Sequence, residues 1–272
     1  MGTHAAAFRV RTAVAAAALM VAAVAHAQSP DGVPRAPDGH PDLSGTWDNG
    51  AGIDFVRPQR DGDSICVSGC ARPAPAAARP AGAAPAARPG PPQYRPELQA
   101  RVADLNARQV EEDPVLRCLA PGVPRIGPPD KIVQRPGELA FLYEDVSGSF
   151  FRVVPTDGRP HPTNNEPSYL GDAVGHWEGD TLVVETVNFN GMAWLTDNGA
   201  FSSTDLRVVE RLRRTADTLE WEATAYDSVL AEPWTAPKRV ARLTDIEIVE
   251  SPPCIDRSLE HMVDDSHHAN PR

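Results

Sequence analysis

The chain has 272 residues, 41% of them hydrophobic, and a formal net charge of −11. That length can bury a sizeable core in one or two domains. The acidic balance argues against nucleic acid and anionic membrane surfaces as partners.

Residues 1–27 read as a secretory signal. Arg9 and Arg11 make the positive start, Ala13–Val24 the apolar middle, and Ala25-His26-Ala27 a small-x-small cleavage site. The apolar run is too short to span a bilayer as a helix. The mature chain is therefore expected to begin near Gln28, in the periplasm or outside the cell, with no stable membrane insertion. Without Arg9 and Arg11 the charge falls from −11 to −13.

Residues 28–45 form an extended N-terminal segment rich in Pro and Gly. A single β-rich domain is expected over 46–254. Its first strand begins within Pro41–Trp47, and a Gly45-x-Trp47 entry recurs at the opening of small antiparallel barrels, where the Trp plugs the bottom. Asp54–Gly69 reads as a loop. The Ala/Pro/Arg tract at 71–92 cannot bury enough apolar area to offset its ordering entropy, so it reads as an insert without a packed core. Pro96–Glu112 has helical spacing at Leu98, Val102 and Leu105, with Pro96 suited to the first turn. Ile132–Arg135, Leu139–Val146 and Phe150–Val154 read as short strands, followed by a loop from Pro155 to Pro162.

The centre of the chain is Gly175–Arg214. Thr181–Phe189 and Leu206–Arg213 alternate β-branched residues at period two, the strand signal. Glu178-Gly179-Asp180 predicts a tight turn that pairs His176-Trp177 with Thr181-Leu182. In the first run Val183, Glu185, Val187 and Phe189 share a face. In the second, Leu206, Val208, Glu210 and Leu212 share a face, and Arg207, Arg211 and Arg213 point the other way. Further strands are expected at Leu219–Tyr226 and Val240–Val249, with Trp234 in a Pro-bounded loop and a polar tail at 255–272. The sum is an all-β fold: an antiparallel, lipocalin-like barrel or a sandwich, with one packed helix.

Cys66, Cys70, Cys118 and Cys254 are an even set in a chain expected to be exported, which predicts disulfides. Proximity in sequence favours Cys66–Cys70. Cys118 and Cys254 flank the core and make the second pair. Cys66-x-x-x-Cys70 lacks a second ligand pair at a recognisable spacing, so no metal is expected.

Several motifs occur together. They are Pro41-Asp42-Leu43-Ser44-Gly45-x-Trp47, Cys118-x-x-Pro121-Gly122-x-Pro124-Arg125, Asp157-Gly158-Arg159-x-His161, Gly175-x-Trp177-Glu178-Gly179-Asp180-Thr181-Leu182-Val183-Val184, and Glu210-Arg211. In them the chain resembles a large family of exported, mostly uncharacterised bacterial β-rich proteins. The resemblance implies export and one β-rich domain, and it carries no activity.

There is no Gly-x-Ser-x-Gly elbow and no phosphate-binding glycine loop. No cofactor is expected. A carboxylate within an apolar strand row is costly unless paired or facing a wet cavity. Glu185 and Glu210 are therefore expected to face a barrel cavity and, with His161, to move protons on a small molecule, or else Glu210 is expected to pair with Arg152 or Arg242 as a structural bridge. Arg159 would hold developing negative charge, and Asp157, His176, Trp177 and Tyr226 would complete the substrate contacts. The expected function is a cofactor-free acid/base enzyme (isomerase, lyase or hydrolase). The alternative is a lipocalin-like binder of a hydrophobic ligand without catalysis. The partner in either case is a small molecule, not nucleic acid.

Overall fold

A computed structural model describes residues 32–50, 59–61, 64–66, 90–251 and 254. The expected signal segment, the 71–89 part of the insert, the Cys66–Cys70 pairing and the polar tail lie outside the described residues or their described side chains.

The body is one sheet. Its strands are β1 (Gly45–Asp48), β4 (Lys131–Arg135), β5 (Glu138–Asp145), β6 (Gly148–Pro155), β7 (Asp172–Glu178), β8 (Thr181–Val187), β9 (Arg207–Thr215), β10 (Thr218–Tyr226), β11 (Trp234–Thr235) and β12 (Arg239–Thr244). The spatial order is β6-β5-β4-β1-β12-β10-β9-β8-β7, with β11 on β10. The nine strands of this path curl into a nearly closed barrel. β2 (Gln59–Asp61) and β3 (Ser64–Cys66) pair separately. The Asp54–Gly69 stretch thus contains a small hairpin, where a plain loop is expected from its Gly and Asp content.

Every neighbouring pair along the path is antiparallel. An odd number of strands linked this way leaves the two end strands, β6 and β7, running in the same direction. They adjoin without a ladder between them. Val154 and Thr156 close one end of this seam on Gly175, where an added Cβ would lie 3.0 Å from each side chain. Parallel neighbours need a crossover connection, and residues 156–171 provide it.

Period-two burial holds on the long strands. In β9, Val208, Glu210, Leu212 and Arg214 are buried while Arg211 and Arg213 are exposed. In β10 the inward set is Leu219, Trp221, Ala223 and Ala225. The hairpin turn falls at Gly179-Asp180, with Trp177 opposite Leu182 and Gly179 at φ 59°. Trp47 is 1% exposed and carries the Arg214 guanidinium 5.2 Å from its ring centroid. Arg214 also donates to the carbonyl of Asp42 at 2.6 Å. One arginine thus covers the Trp47 ring and grips the backbone just before β1.

The helical stretch is broken. Pro96–Leu98 is a 3₁₀ turn, α1 covers Gln99–Ala107 and α2 only Gln109–Glu112. Arg108 at φ −109° and ψ 30° separates them. Leu98, Val102 and Leu105 pack on the barrel as their spacing predicts. The last strand stops at Thr244, short of Val249, and Trp234 sits in the two-residue β11. The disulfide Cys118–Cys254 is formed. Among the described residues no helix is long and apolar enough to cross a membrane.

Candidate functional site

The barrel interior is filled. Phe141, Leu182, Val184, Val208, Leu212 and Leu219 are each 0% exposed, so not even a water-sized space adjoins them. The expected lumen cavity is absent at these levels. The reason is bulk: Trp47, Trp221, Tyr143 and Phe141 all point inward from strands of a narrow barrel.

Glu210 does point inward, but it is held in a dry ion pair. Arg152 Nη2 donates to Glu210 Oε2 at 2.6 Å, and Trp221 Nε1 donates to Oε1 at 3.0 Å. Arg152 also donates to Thr186 Oγ1 at 2.7 Å and to the Tyr143 hydroxyl at 3.1 Å. Burial pushes the Tyr143 hydroxyl far above its ordinary range, so it stays neutral. A carboxylate with both oxygens claimed inside a packed core has no room to shuttle protons to a guest. Glu210 thus forms the structural bridge with Arg152, the other of the two expectations for it.

Glu185 faces the opposite way. On β8 the inward residues are Leu182, Val184 and Thr186, so odd positions point outward. Glu185 does share a row with Val183 and Val187, as the parity predicts, but that row is the outer face. The two acids therefore do not meet in one cavity. β8 and β9 pair Val184 with Glu210 and Glu185 with Val209, so the carboxylates lie on opposite sides of one sheet.

Glu185 instead centres a polar cluster on the outer wall. His161 Nε2 lies 3.3 Å from Glu185 Oε1, and Arg207 Nη1 donates to Oε2 at 3.0 Å. Arg207 also lies over the ring of Tyr226, 4.1 Å from its centroid. Three of the sequence-predicted residues, His161, Glu185 and Tyr226, are thus joined through Arg207. His161 Nδ1 is enclosed and has no hydrogen-bond partner among the described residues. The crossover 156–171 places His161 there, since Pro160 and Pro162 stiffen the backbone on both sides of it.

The remaining predicted residues pair elsewhere. Arg159 Nε reaches both oxygens of Asp157 at 2.9 and 3.0 Å, on the exposed side of the crossover. The Arg159 side chain, then its backbone N–H, holds the Asp157 carboxyl down to about 2. His176 Nε2 lies 3.3 Å from Glu178, which Arg211 also grips at 2.6 Å. Trp177 stacks on His40 at 4.7 Å. These two brace the hairpin tip and the N-terminal segment and do not join the His161 cluster.

Two open clefts flank that cluster. One, of about 520 Å³, lies between the seam and the crossover. Phe151, Arg152 and Val153 of β6 and Asp172, Ala173 and Val174 of β7 form one wall, and Arg159, Pro162, Tyr169 and Leu170 the other. The second, of about 640 Å³, adjoins Arg207 and Tyr226 and is closed by Asp227–Pro233. Val174, in the first cleft, is the cross-strand partner of Glu185. His161 and Glu185 line neither hollow; their neighbours Pro162 and Val174 line the first and Arg207 lines the second.

Of the two arginines expected as structural partners of Glu210, Arg152 takes the place; Arg207 is the partner that strand parity alone could not choose. Arg207 shares the outward parity of Glu185, which is a usable signal once β8 and β9 are known to be neighbours. Arg152 comes from a strand far away in sequence. Among the described residues no three His, Cys, Asp or Glu side chains converge as a metal site requires. No protein family, curated protein or solved structure matches this chain.

Proposed function

We propose that the protein is a cofactor-free acid/base enzyme acting on a small molecule seated in the seam cleft. The observation that carries this reading is the His161–Glu185–Arg207 string. A carboxylate orients the imidazole, an arginine holds the carboxylate, and the second ring nitrogen is unclaimed. This is the arrangement of a proton-transfer pair near neutral pH. Since Nδ1 is enclosed, the group within reach of a guest is the Glu185 carboxylate, its side chain 40% exposed and paired with His161 Nε2. An isomerase, lyase or hydrolase can use such a group. Glu185 replaces Glu210 as the acid that matters.

We further propose export, with cleavage after residue 27. The disulfide supports it, because such bonds persist in oxidising compartments. The motifs shared with the exported β-rich family point the same way.

The test is untargeted metabolite profiling. Purified protein is incubated with a small-molecule extract of the cells that produce it. A compound consumed by the wild type and spared by His161→Gln and Glu185→Gln supports the proposal. Identical profiles for wild type and both variants would sink it. A retained ligand in native mass spectrometry, with no compound consumed over hours, would move the reading to a lipocalin-like binder.

A further inference from the structure

One acid of the central hairpin stands apart from the rest. Strands β7 and β8 and the turn between them carry Asp172, Glu178, Asp180 and Glu185. Glu178 pairs with Arg211, Asp180 with Arg35 and Glu185 with Arg207. Among the described residues Asp172 has no such partner. Its oxygens accept instead from two uncharged amides, Asn165 Nδ2 at 2.8 Å and Asn188 Nδ2 at 2.7 Å. Asn188 reaches it from a left-handed backbone at φ 61°, a conformation asparagine tolerates better than most residues. Amides fix the direction of a carboxylate and leave its charge uncancelled.

That carboxylate is open to a guest. Asp172 is half-buried, shares the outward parity of Val174 and lines the seam cleft with it. Each oxygen accepts one amide bond and keeps a second lone pair. The other charges of the cleft wall are spent: Arg152 turns into the core against Glu210, and Arg159 is claimed by Asp157. The rest of the wall is apolar. Phe151 is 69% exposed and Val153 45%, and Leu170 faces them from the crossover. An open aromatic ring beside an unpaired carboxylate offers burial to a hydrocarbon and a second attraction to a cation. A carboxylate guest would meet the charge of Asp172 unscreened by any arginine, and like charges repel. An uncharged guest would gain the apolar contacts alone.

We infer that the seam cleft selects a monocationic amine with an apolar body, the ammonium pairing with Asp172 and the body lying on Phe151 and Val153. This inference rests on the seam cleft being the substrate seat. The cleft volume of about 520 Å³ suits a guest of one ring and a short chain.

The test uses three matched probes in ligand-detected NMR titrations at pH 7 on the full-length mature protein: 3-phenylpropan-1-amine, 3-phenylpropanoate and butylbenzene. The amine is expected to bind at least about tenfold more tightly than either of the others. Asp172→Asn removes the charge at nearly constant size, so the amine should fall to the affinity of butylbenzene. Phe151→Ala should weaken the amine and butylbenzene together. Equal affinity of the wild type for amine and butylbenzene, or tighter binding of the carboxylate, would overturn the inference and leave the proposed function standing. A folded Asp172→Asn variant that keeps the tenfold preference would also overturn it, as would unchanged amine binding in Phe151→Ala. Binding of none of the three probes would overturn both the inference and the seam cleft as substrate seat. If Asp172→Asn does not fold, the wild-type series and Phe151→Ala decide.

Discussion

Arg152 of β6 and Glu210 of β9 meet at 2.6 Å with side chains 3% and 0% exposed, across the interior of the barrel. The residues between them in sequence make the seam crossover, the central hairpin and the outer cluster. This single contact ties an end strand of the sheet to its far side, where no ladder does so.

Removing one partner of that pair leaves an uncompensated buried charge. Glu210→Leu is expected to lower unfolding free energy by about 3–5 kcal/mol. Adding Arg152→Met in the same chain should restore much of the loss, because the double variant buries no charge. Urea denaturation of the two singles and the double measures the coupling. Additive losses would show that the pair is not the clamp described.

The outer cluster should behave in the opposite way. His161, Glu185 and Arg207 are partly exposed, with side-chain exposures of 22%, 40% and 40%. Such pairs contribute at most about 1 kcal/mol. Glu185→Gln should therefore leave the melting temperature nearly unchanged while abolishing turnover. A large fall in melting temperature would make Glu185 a structural residue.

Asp130 predicts a pH dependence. Burial, opposed by the Glu144 N–H it accepts and reinforced by Glu144, Asp145 and Asp48, raises its carboxyl to about 6. The folded state then binds the proton more tightly than the unfolded chain does. Its contribution to stability is greatest below about pH 4 and is lost as pH rises through about 6. Asp130→Asn should flatten this segment of the stability–pH curve and raise stability at pH 7 by about 1 kcal/mol, after allowance for its partial exposure. Chemical denaturation at pH 4, 5, 6 and 7 reads the slope, and an unchanged slope in Asp130→Asn would refute the assignment.

The Cys118–Cys254 bond closes a loop with a sequence separation of 136. Loop-closure entropy puts its stabilisation at up to about 5 kcal/mol. Cys118→Ser with Cys254→Ser should lower the denaturation midpoint by a corresponding amount in non-reducing buffer. Adding reductant should move the wild type to the same midpoint and leave the double variant unmoved.

Gly171 ends the crossover at φ +63°, and a Cβ there would sit 2.4 Å from the carbonyl oxygen of Val187. Gly171→Ala should cost about 1–3 kcal/mol. Unaltered stability in urea denaturation would show that the crossover is looser than drawn.

Local pattern was enough for the long strands, the hairpin at Gly179, the burial of Trp47 and the inward row of β9. Backbone periodicity and turn chemistry are properties of neighbours in sequence, so residues 175–214 carry them openly. The pairing of Cys118 with Cys254 was also legible, from position at the ends of the core. What period two cannot give is which face of a strand is inside. Glu185 and Glu210 each stand in a largely apolar row, and only the 184–210 register sends one to the core and the other to the wall. Nor can it fix long-range partners: Arg152 stood beside Arg242 as a candidate for Glu210, and Arg207 was one arginine among many, until the sheet order placed each against its glutamate. The filled lumen and the seam cleft follow from strand count and curvature, which depend on every pairing at once and are written in no single segment.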